Sequence, residues 1–185
     1  MIDFTIVCPK GDLAKDAESF LYKKFGIKID LNSRKYVQEI GKCRIVIMRC
    51  SDVPQVTEQL GDYGITGKDI FRDYILRTPK SKLKELENLD FGYTRVAVLG
   101  RRRLKKLTQL IRVATPYEAL TKNFLKNLGY EVVINNSVKG SLEALIDLGL
   151  ADVVVDVVNS GRTSKENNLV ELYKVLDSNA ILIGR

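Results

Sequence analysis

The sequence contains no histidine among its 185 residues. That absence excludes a Ser-His-Asp triad, an imidazole general base and imidazole metal ligands. Chemistry must therefore come from carboxylates, lysines, arginines, hydroxyls or a bound metal. Cysteine is scarce, at Cys8, Cys43 and Cys50. An odd count without paired spacing argues for reduced thiols and a cytoplasmic protein. Cys8 sits at a strand end and Cys50 near one, and packing is the role expected of both. No apolar run is long enough to span a membrane. The N-terminus, Met-Ile-Asp-Phe-Thr-Ile-Val, lacks the basic region and cleavage site of a signal peptide. Nothing repeats at a fixed period. What the chain does have is positive charge, a formal net +7. This suits an anionic partner without establishing a nucleic-acid one. The densest basic run, Arg101-Arg102-Arg103-Leu104-Lys105-Lys106, has no interleaved aromatics and reads as a solvated loop.

The most informative stretch runs from Asp152 to Leu169. Val153 to Val158, broken only by Asp156, reads as a buried parallel strand. The chain then turns polar at Asn159-Ser160-Gly161-Arg162-Thr163-Ser164. Hydroxyls around a glycine at the C-terminal end of a strand are suited to wrapping a phosphate. The glycine permits the turn and the close approach, and free N–H groups and hydroxyls point at the anion. An ordinary strand followed by an Asn-Ser-Gly turn fits the spacing equally well. Asp156 is costly to bury alone and at a strand end can accept from ribose hydroxyls.

Elsewhere, strand and helix alternate. Ile2 to Cys8 reads as a strand, Pro9-Lys10-Gly11 as a turn, and Asp12 to Phe25 as a helix closed by Gly26. Asn32-Ser33-Arg34-Lys35 is a basic loop. Arg44 to Met48 is a strand with Arg49 at its end, and Ser51 or Asp52 caps the helix that Pro54 begins. Gly64 and Gly67 mark close backbone approach in a short strand. Leu76 to Asn88 reads as connecting structure. Further strands are expected near Phe91–Leu99, Arg112–Thr115, Glu131–Ile134, Leu169–Val175 and Ala180–Ile183, with helices over Tyr117–Leu128 and from Lys139-Gly140-Ser141 to Leu148. The pattern is α/β with mostly parallel sheets. Ligands of such sheets sit at strand C-terminal ends, where Lys10, Arg49, Thr66-Gly67, Thr115, Gly140-Ser141 and the Ser160 segment all fall.

Taken together, these residues resemble the ATP phosphoribosyltransferase family nearly end to end. The matching pieces are Pro9-Lys10-Gly11; Arg49 with Asp52-Val53-Pro54; Asp62 through Ile70; Phe91-Gly92 with Arg95-Val96; Arg112-Val113-Ala114-Thr115; Gly140-Ser141-Leu142-Glu143; and Leu150 through Asp156 to Leu169. The resemblance implies a two-lobed fold of the type II periplasmic-binding-protein kind, with mixed, mostly parallel sheets and a cleft between the lobes. Residues 1–89 plus 170–185 would form one lobe and 90–169 the other. It implies transfer of phosphoribose from 5-phosphoribosyl 1-pyrophosphate to N1 of ATP, with Mg²⁺ on the pyrophosphate and no protein metal site.

By the same resemblance, Lys10, Arg34 and Arg49 would face the pyrophosphate or the ATP phosphates as the catalytic cations. Asp152, Asp156, Asn159, Ser160, Gly161, Arg162 and Thr163 would bind phosphoribosyl pyrophosphate, with Asp156 on the ribose. Gly11, Thr66, Gly67, Thr115, Gly140 and Ser141 would line the ATP and pyrophosphate side. With the sequence ending at Arg185, the resemblance implies a short-form catalytic subunit. Such a subunit would form a homodimer and either work with a regulatory subunit resembling a histidyl-tRNA synthetase or have lost regulation. Four positions depart from the family pattern: Asp12 stands where arginine is usual, Asn159 where glutamate is common, Pro116 inside an Ala-Thr-Lys-Tyr-Pro pattern, and Asn168 where glycine is usual. The alternatives are a non-catalytic cytosolic module that binds nucleotide or phosphoribosyl pyrophosphate on the same scaffold, and a nucleic-acid-binding protein.

Overall fold

The computed structural model describes residues 2–101, 110–135, 140–158 and 168–185. The chain divides into two compact units, Met1–Tyr93 with Asn179–Arg185, and Thr94–Ser178. Each has its own sheet and core.

In the first unit the chain runs β1 (Phe4–Lys10), α1 (Ala14–Phe25), β2 (Val37–Ile40), β3 (Cys43–Arg49), a short 3₁₀ turn (Cys50–Asp52), α2 (Val53–Leu60), β4 (Tyr63–Gly67), α3 (Lys68–Arg77) and β5 (Lys84–Asn88), and the C-terminal strand β11 (Ala180–Gly184) returns to it. The sheet order is β2-β3-β1-β4-β11-β5. β1 pairs in parallel with both β3 and β4, so both of its faces must be covered. Ile6 and Cys8 face a cluster with Ala17 and Leu21 of α1. Val7 faces a second cluster with Val53 of α2 and Phe71 and Tyr74 of α3. β11 repeats the pattern, with Leu182 in the first cluster and Ile181 and Ile183 in the second.

The second unit runs β6 (Thr94–Arg101), β7 (Leu110–Ala114), α4 (Glu118–Asn127), β8 (Glu131–Ile134), α5 (Ala144–Asp147), β9 (Val153–Val158) and β10 (Leu169–Ser178). Its sheet order is β10-β6-β9-β7-β8. β9 lies between β6 and β7, and Val153, Val154 and Val155 are buried. Val154 packs with Ala114 and with Leu142 and Leu145 around α5.

Among the described residues, parallel pairing is confined to β3-β1-β4 and β8-β7-β9; the remaining ladders are antiparallel. The sheets are mixed, and less parallel than the sequence pattern predicts. The expected division also shifts. β10 pairs along its length with β6, so residues 170–178 belong with the second sheet, and the return to the first begins at Asn179. β5, read from the sequence as connecting structure, is an edge strand against β11. Its Lys-Glu-Leu-Glu-Asn pattern lacks an apolar run because one side needs no partner strand, and charge on an edge discourages further pairing. Lys68 holds Glu85 there, with Nζ 3.0 Å from Oε1. The expected side-chain cap of α2 is absent. Ser51 Oγ donates instead to Asp52 Oδ1 at 3.1 Å, and the 3₁₀ turn leads into the helix.

Gly64 is required by contact. A Cβ there would stand 2.3 Å from Thr57 Oγ1 and 2.9 Å from Val53 Cγ1, where α2 crosses β4. Gly64→Ala is expected to destabilise the chain by about 1–3 kcal/mol, read as a lowered urea midpoint at unchanged slope. A midpoint equal to that of the parent would show that α2 can move away without loss.

Candidate anion-binding site

The parallel register of β1 and β3 sets Lys10 directly opposite Arg49 at the C-terminal ends of both strands. Adjacent strands lie about 4.8 Å apart, so two cations share one sheet end. The chain leaves both strands at once: Gly11, at φ 86°, turns it toward α1, and the 3₁₀ turn follows Arg49. Both residues are exposed. Two positively charged residues at one sheet end are suited to an anion with more than one charge.

A cavity of ≈ 210 Å³ opens beside Lys10. Gly11 and Ile47 line it, together with Ser33, Lys35 and Tyr36 from the loop after α1. The Lys10 ammonium lies 5.1 Å from the centre of the Tyr36 ring. Arg34 is exposed in the same loop, but the wall takes Lys35 on one side of it and Ser33 on the other. Lys35 and Tyr36 do not stand out in the sequence as site residues. The signal available is weak, a basic loop ending in an aromatic residue.

Thr66 and Gly67 have internal work. The Thr66 hydroxyl is buried, donates to the Cys50 carbonyl at 3.1 Å and lies 3.5 Å from Cys50 Sγ. A Cβ on Gly67 would meet Asp69 Oδ1 at 2.3 Å, so the glycine accommodates the buried Asp69 carboxylate. Thr115 is likewise buried. Its Oγ1 accepts from the Tyr117 N–H at 2.9 Å and lies 3.2 Å from Thr121 Oγ1. Both threonine hydroxyls shape strand-to-helix turns. Burial pushes the Cys8 thiol up to about 12 and also raises Cys50. Both stay protonated at neutral pH, which fits packing.

In the second unit, Asp156 is half-buried on β9, and its Oδ1 accepts from the Val157 N–H at 2.7 Å. Gly140 and Ser141 are exposed between β8 and α5 with φ of 97° and 47°. Ser141 is a non-glycine residue in the left-handed region, which is uncommon and mildly strained. Its carbonyl accepts from Ala144 N–H at 3.1 Å to open α5. Asn159, Ser160, Gly161, Arg162 and Thr163 lie outside the described residues, as does most of the Arg101–Lys106 run. Asn168 has a φ of 54°, which accounts for the glycine usual at that position. Asparagine is among the few side chains that tolerate this conformation.

Asp152 is a correction. It precedes the first residue of β9, at the opposite end of that strand from the Asn159–Thr163 segment. Arg112 of β7 engages it twice, with Nη2 2.7 Å from Oδ1 and Nε 3.2 Å from Oδ2, and the Arg112 backbone N–H donates to Oδ2 at 2.8 Å. Arg112 Nη1 also donates to the Gly149 carbonyl at 2.6 Å. The carboxylate thus pins the start of β9 to β7 and is not presented to a ligand. The Arg112 side chain hydrogen bond, with its charge, holds the Asp152 carboxyl below its ordinary value of 3.8. A depressed folded-state pKa contributes stability that is present above the unfolded value and lost as pH falls through the folded one. Asp152→Asn should therefore lower the melting temperature at pH 7, with the gap to the parent closing as pH falls below 3.8. A gap independent of pH would show that the bond geometry, not the charge, carries the effect.

The HisG family profile, ATP phosphoribosyltransferase, matches residues 49–185. An ATP phosphoribosyltransferase of Carboxydothermus hydrogenoformans is 35% identical over 190 residues, covering 97% of this chain and 83% of that protein. Among solved structures, the ATP phosphoribosyl transferase (HisG:HisZ) complex from Thermotoga maritima superposes with a TM-score of 0.83 at 25% identity, covering 100% of this chain and 87% of that one. The periplasmic aliphatic sulphonate binding protein SsuA from Escherichia coli superposes at 0.56 with 15% identity, covering 98% of this chain and 60% of that one, a likeness of fold and consistent with the type II binding-protein architecture. A profile spanning most of the sequence and a relative matched over nearly all of it show that this chain belongs to the HisG family of ATP phosphoribosyltransferases.

Proposed function

We propose that Lys10 and Arg49 bind the pyrophosphate of 5-phosphoribosyl 1-pyrophosphate in the family's reaction. That reaction transfers phosphoribose to N1 of ATP and releases pyrophosphate, the first step of histidine biosynthesis. The observation that carries the reading is the register that sets Lys10 opposite Arg49.

The bond from the anomeric carbon to the pyrophosphate oxygen breaks as the bond to adenine N1 forms. Positive charge develops on the sugar and negative charge on the leaving oxygen. Fixed cations at that oxygen stabilise the transition state more than the ground state, which raises the rate without an enzyme nucleophile. A chain without histidine suffices for this chemistry. The side chains at the β1 and β3 ends are themselves cations and cannot ligate a metal. Among the described residues no group of three or more Cys, Asp or Glu could hold one. Magnesium is proposed to enter as part of the pyrophosphate substrate, whose charge it screens.

Asp156 takes the ribose hydroxyls, and Ser160, Gly161, Arg162 and Thr163 take the 5-phosphate. These roles rest on the family pattern. Gly11, Gly140 and Ser141 contribute backbone at strand ends, and Arg34 and Lys35 add positive charge near Lys10. The Thermotoga structure is a HisG:HisZ complex, and this chain is proposed to work as a homodimer with a regulatory subunit of that kind. No helix among the described residues is long and apolar enough to cross a membrane, and a cytoplasmic location is proposed.

The direct test follows phosphoribosyl-ATP by its ultraviolet absorbance, with ATP, phosphoribosyl pyrophosphate, Mg²⁺ and pyrophosphatase, with and without a HisZ-type partner. Binding of both substrates without product in either case would favour the non-catalytic module. Arg49→Ala should lower kcat by roughly a hundredfold while KM for phosphoribosyl pyrophosphate changes much less. An unaltered kcat would remove Arg49 from the leaving-group role. Asp156→Asn should weaken phosphoribosyl pyrophosphate roughly tenfold, the loss of one charged hydrogen bond. An equal dissociation constant by calorimetry would take Asp156 out of the ribose site.

A further inference from the structure

Tyr36 is a large aromatic residue left 61% exposed, and its position is nevertheless fixed. Its carbonyl accepts from the Ile47 N–H at 2.7 Å, which extends the antiparallel β2–β3 ladder by one step beyond Val37↔Val46. Tyr36 therefore stands opposite Ile47 and shares its face of the sheet. Ile47 pairs with Cys8, and two residues further along the same strands Lys10 pairs with Arg49. Strand alternation puts residues two apart on one face. Tyr36, Lys10 and Arg49 are thus on the same face, at the same end.

Among the described residues the Lys10 ammonium has one side-chain partner, the Tyr36 ring face 5.1 Å from Nζ, which attracts it through the ring quadrupole, while Arg49 is its partner in the strand register. A lysine side chain has four rotatable bonds, so without such an attraction it would sample many positions around the strand end. From this geometry we infer that Tyr36 is a positioning residue for Lys10. Its ring draws the ammonium to the cavity side of β1, clear of Arg49, so that the two cations are presented as a spaced pair to a diphosphate. The inference rests on the proposed role of Lys10 at the pyrophosphate. The ring itself makes no contact with the anion.

The test uses the full chain and inorganic pyrophosphate with Mg²⁺ as the probe, with dissociation constants by calorimetry and melting temperatures alongside. Lys10→Met should weaken pyrophosphate. Tyr36→Leu should weaken it roughly two- to fivefold, the size of an exposed cation–π contact, and Tyr36→Phe, which keeps the ring face, should bind as the parent does. In the Lys10→Met background, Tyr36→Leu should have no further effect, because its influence passes through the ammonium. If Lys10→Met binds pyrophosphate like the parent, the proposed role of Lys10 fails. If Lys10→Met weakens binding but Tyr36→Leu does not, or if the two losses simply add, the positioning role of Tyr36 is overturned. A Tyr36→Phe variant as weak as Tyr36→Leu overturns it too, since the hydroxyl and not the ring face would then matter. Parallel losses of melting temperature and affinity in Tyr36→Leu would assign the effect to folding and equally overturn it.

Discussion

The parallel ladder between β1 and β3 is the constraint on which the first unit depends. Seven residue pairs run from Phe4↔Cys43 to Lys10↔Arg49, and alternation locks them. Ile6 and Cys8 join Ile45 and Ile47 in one cluster, while Val7 joins Val46 and Met48 in the other. A one-residue slip would send each set to the wrong face. With each fully buried branched side chain worth about 1.5–3 kcal/mol, that slip is prohibitive. The same force that orders the core therefore sets Lys10 and Arg49 opposite each other at the sheet end.

The second unit uses a different device. β9 carries Asp156 near one end and begins at the other with Asp152 held by Arg112. Arg112 also holds the Gly149 carbonyl at the exit of α5. One guanidinium thereby joins β7, the α5 exit and the start of β9, fixing where the strand begins. Because a strand is stiff, fixing its start also fixes where Asp156 stands. The buried valines supply the remaining cohesion, Val154 against Ala114 and Leu145 and the others across β6 and β7.

Much of this architecture is legible in the pattern of residues along the chain. β1, β3, β6, β8, β9 and β11 are each built on a short apolar run, and α1 ends where Gly26 requires it. The family resemblance follows from motifs at strand ends. The misses have physical causes. β5 has a charged sequence because it is an edge, and periodicity cannot distinguish an exposed edge strand from a loop. β10 belongs to the second unit and not the first, because a strand's own sequence does not say which partner it will pair with. Thr66, Thr115 and Asp152 look like ligand groups by residue type and position. Only their hydrogen bonds, to Cys50, to Tyr117 and to Arg112, reveal that their polar atoms are already engaged.

The sequence by itself determined the residue types and their periodicity: an α/β chain without histidine, with cations and hydroxyls at strand ends and the family to which these belong. These are local properties, carried by a few neighbours along the chain. Tertiary structure alone decided which of those groups meet. Lys10 and Arg49 are 39 positions apart in sequence and adjacent by register, and Tyr36 reaches Lys10 because β2 folds back on β3. Pairing across such separations depends on the packing of both sheet faces at once, a cooperative quantity that no local pattern encodes.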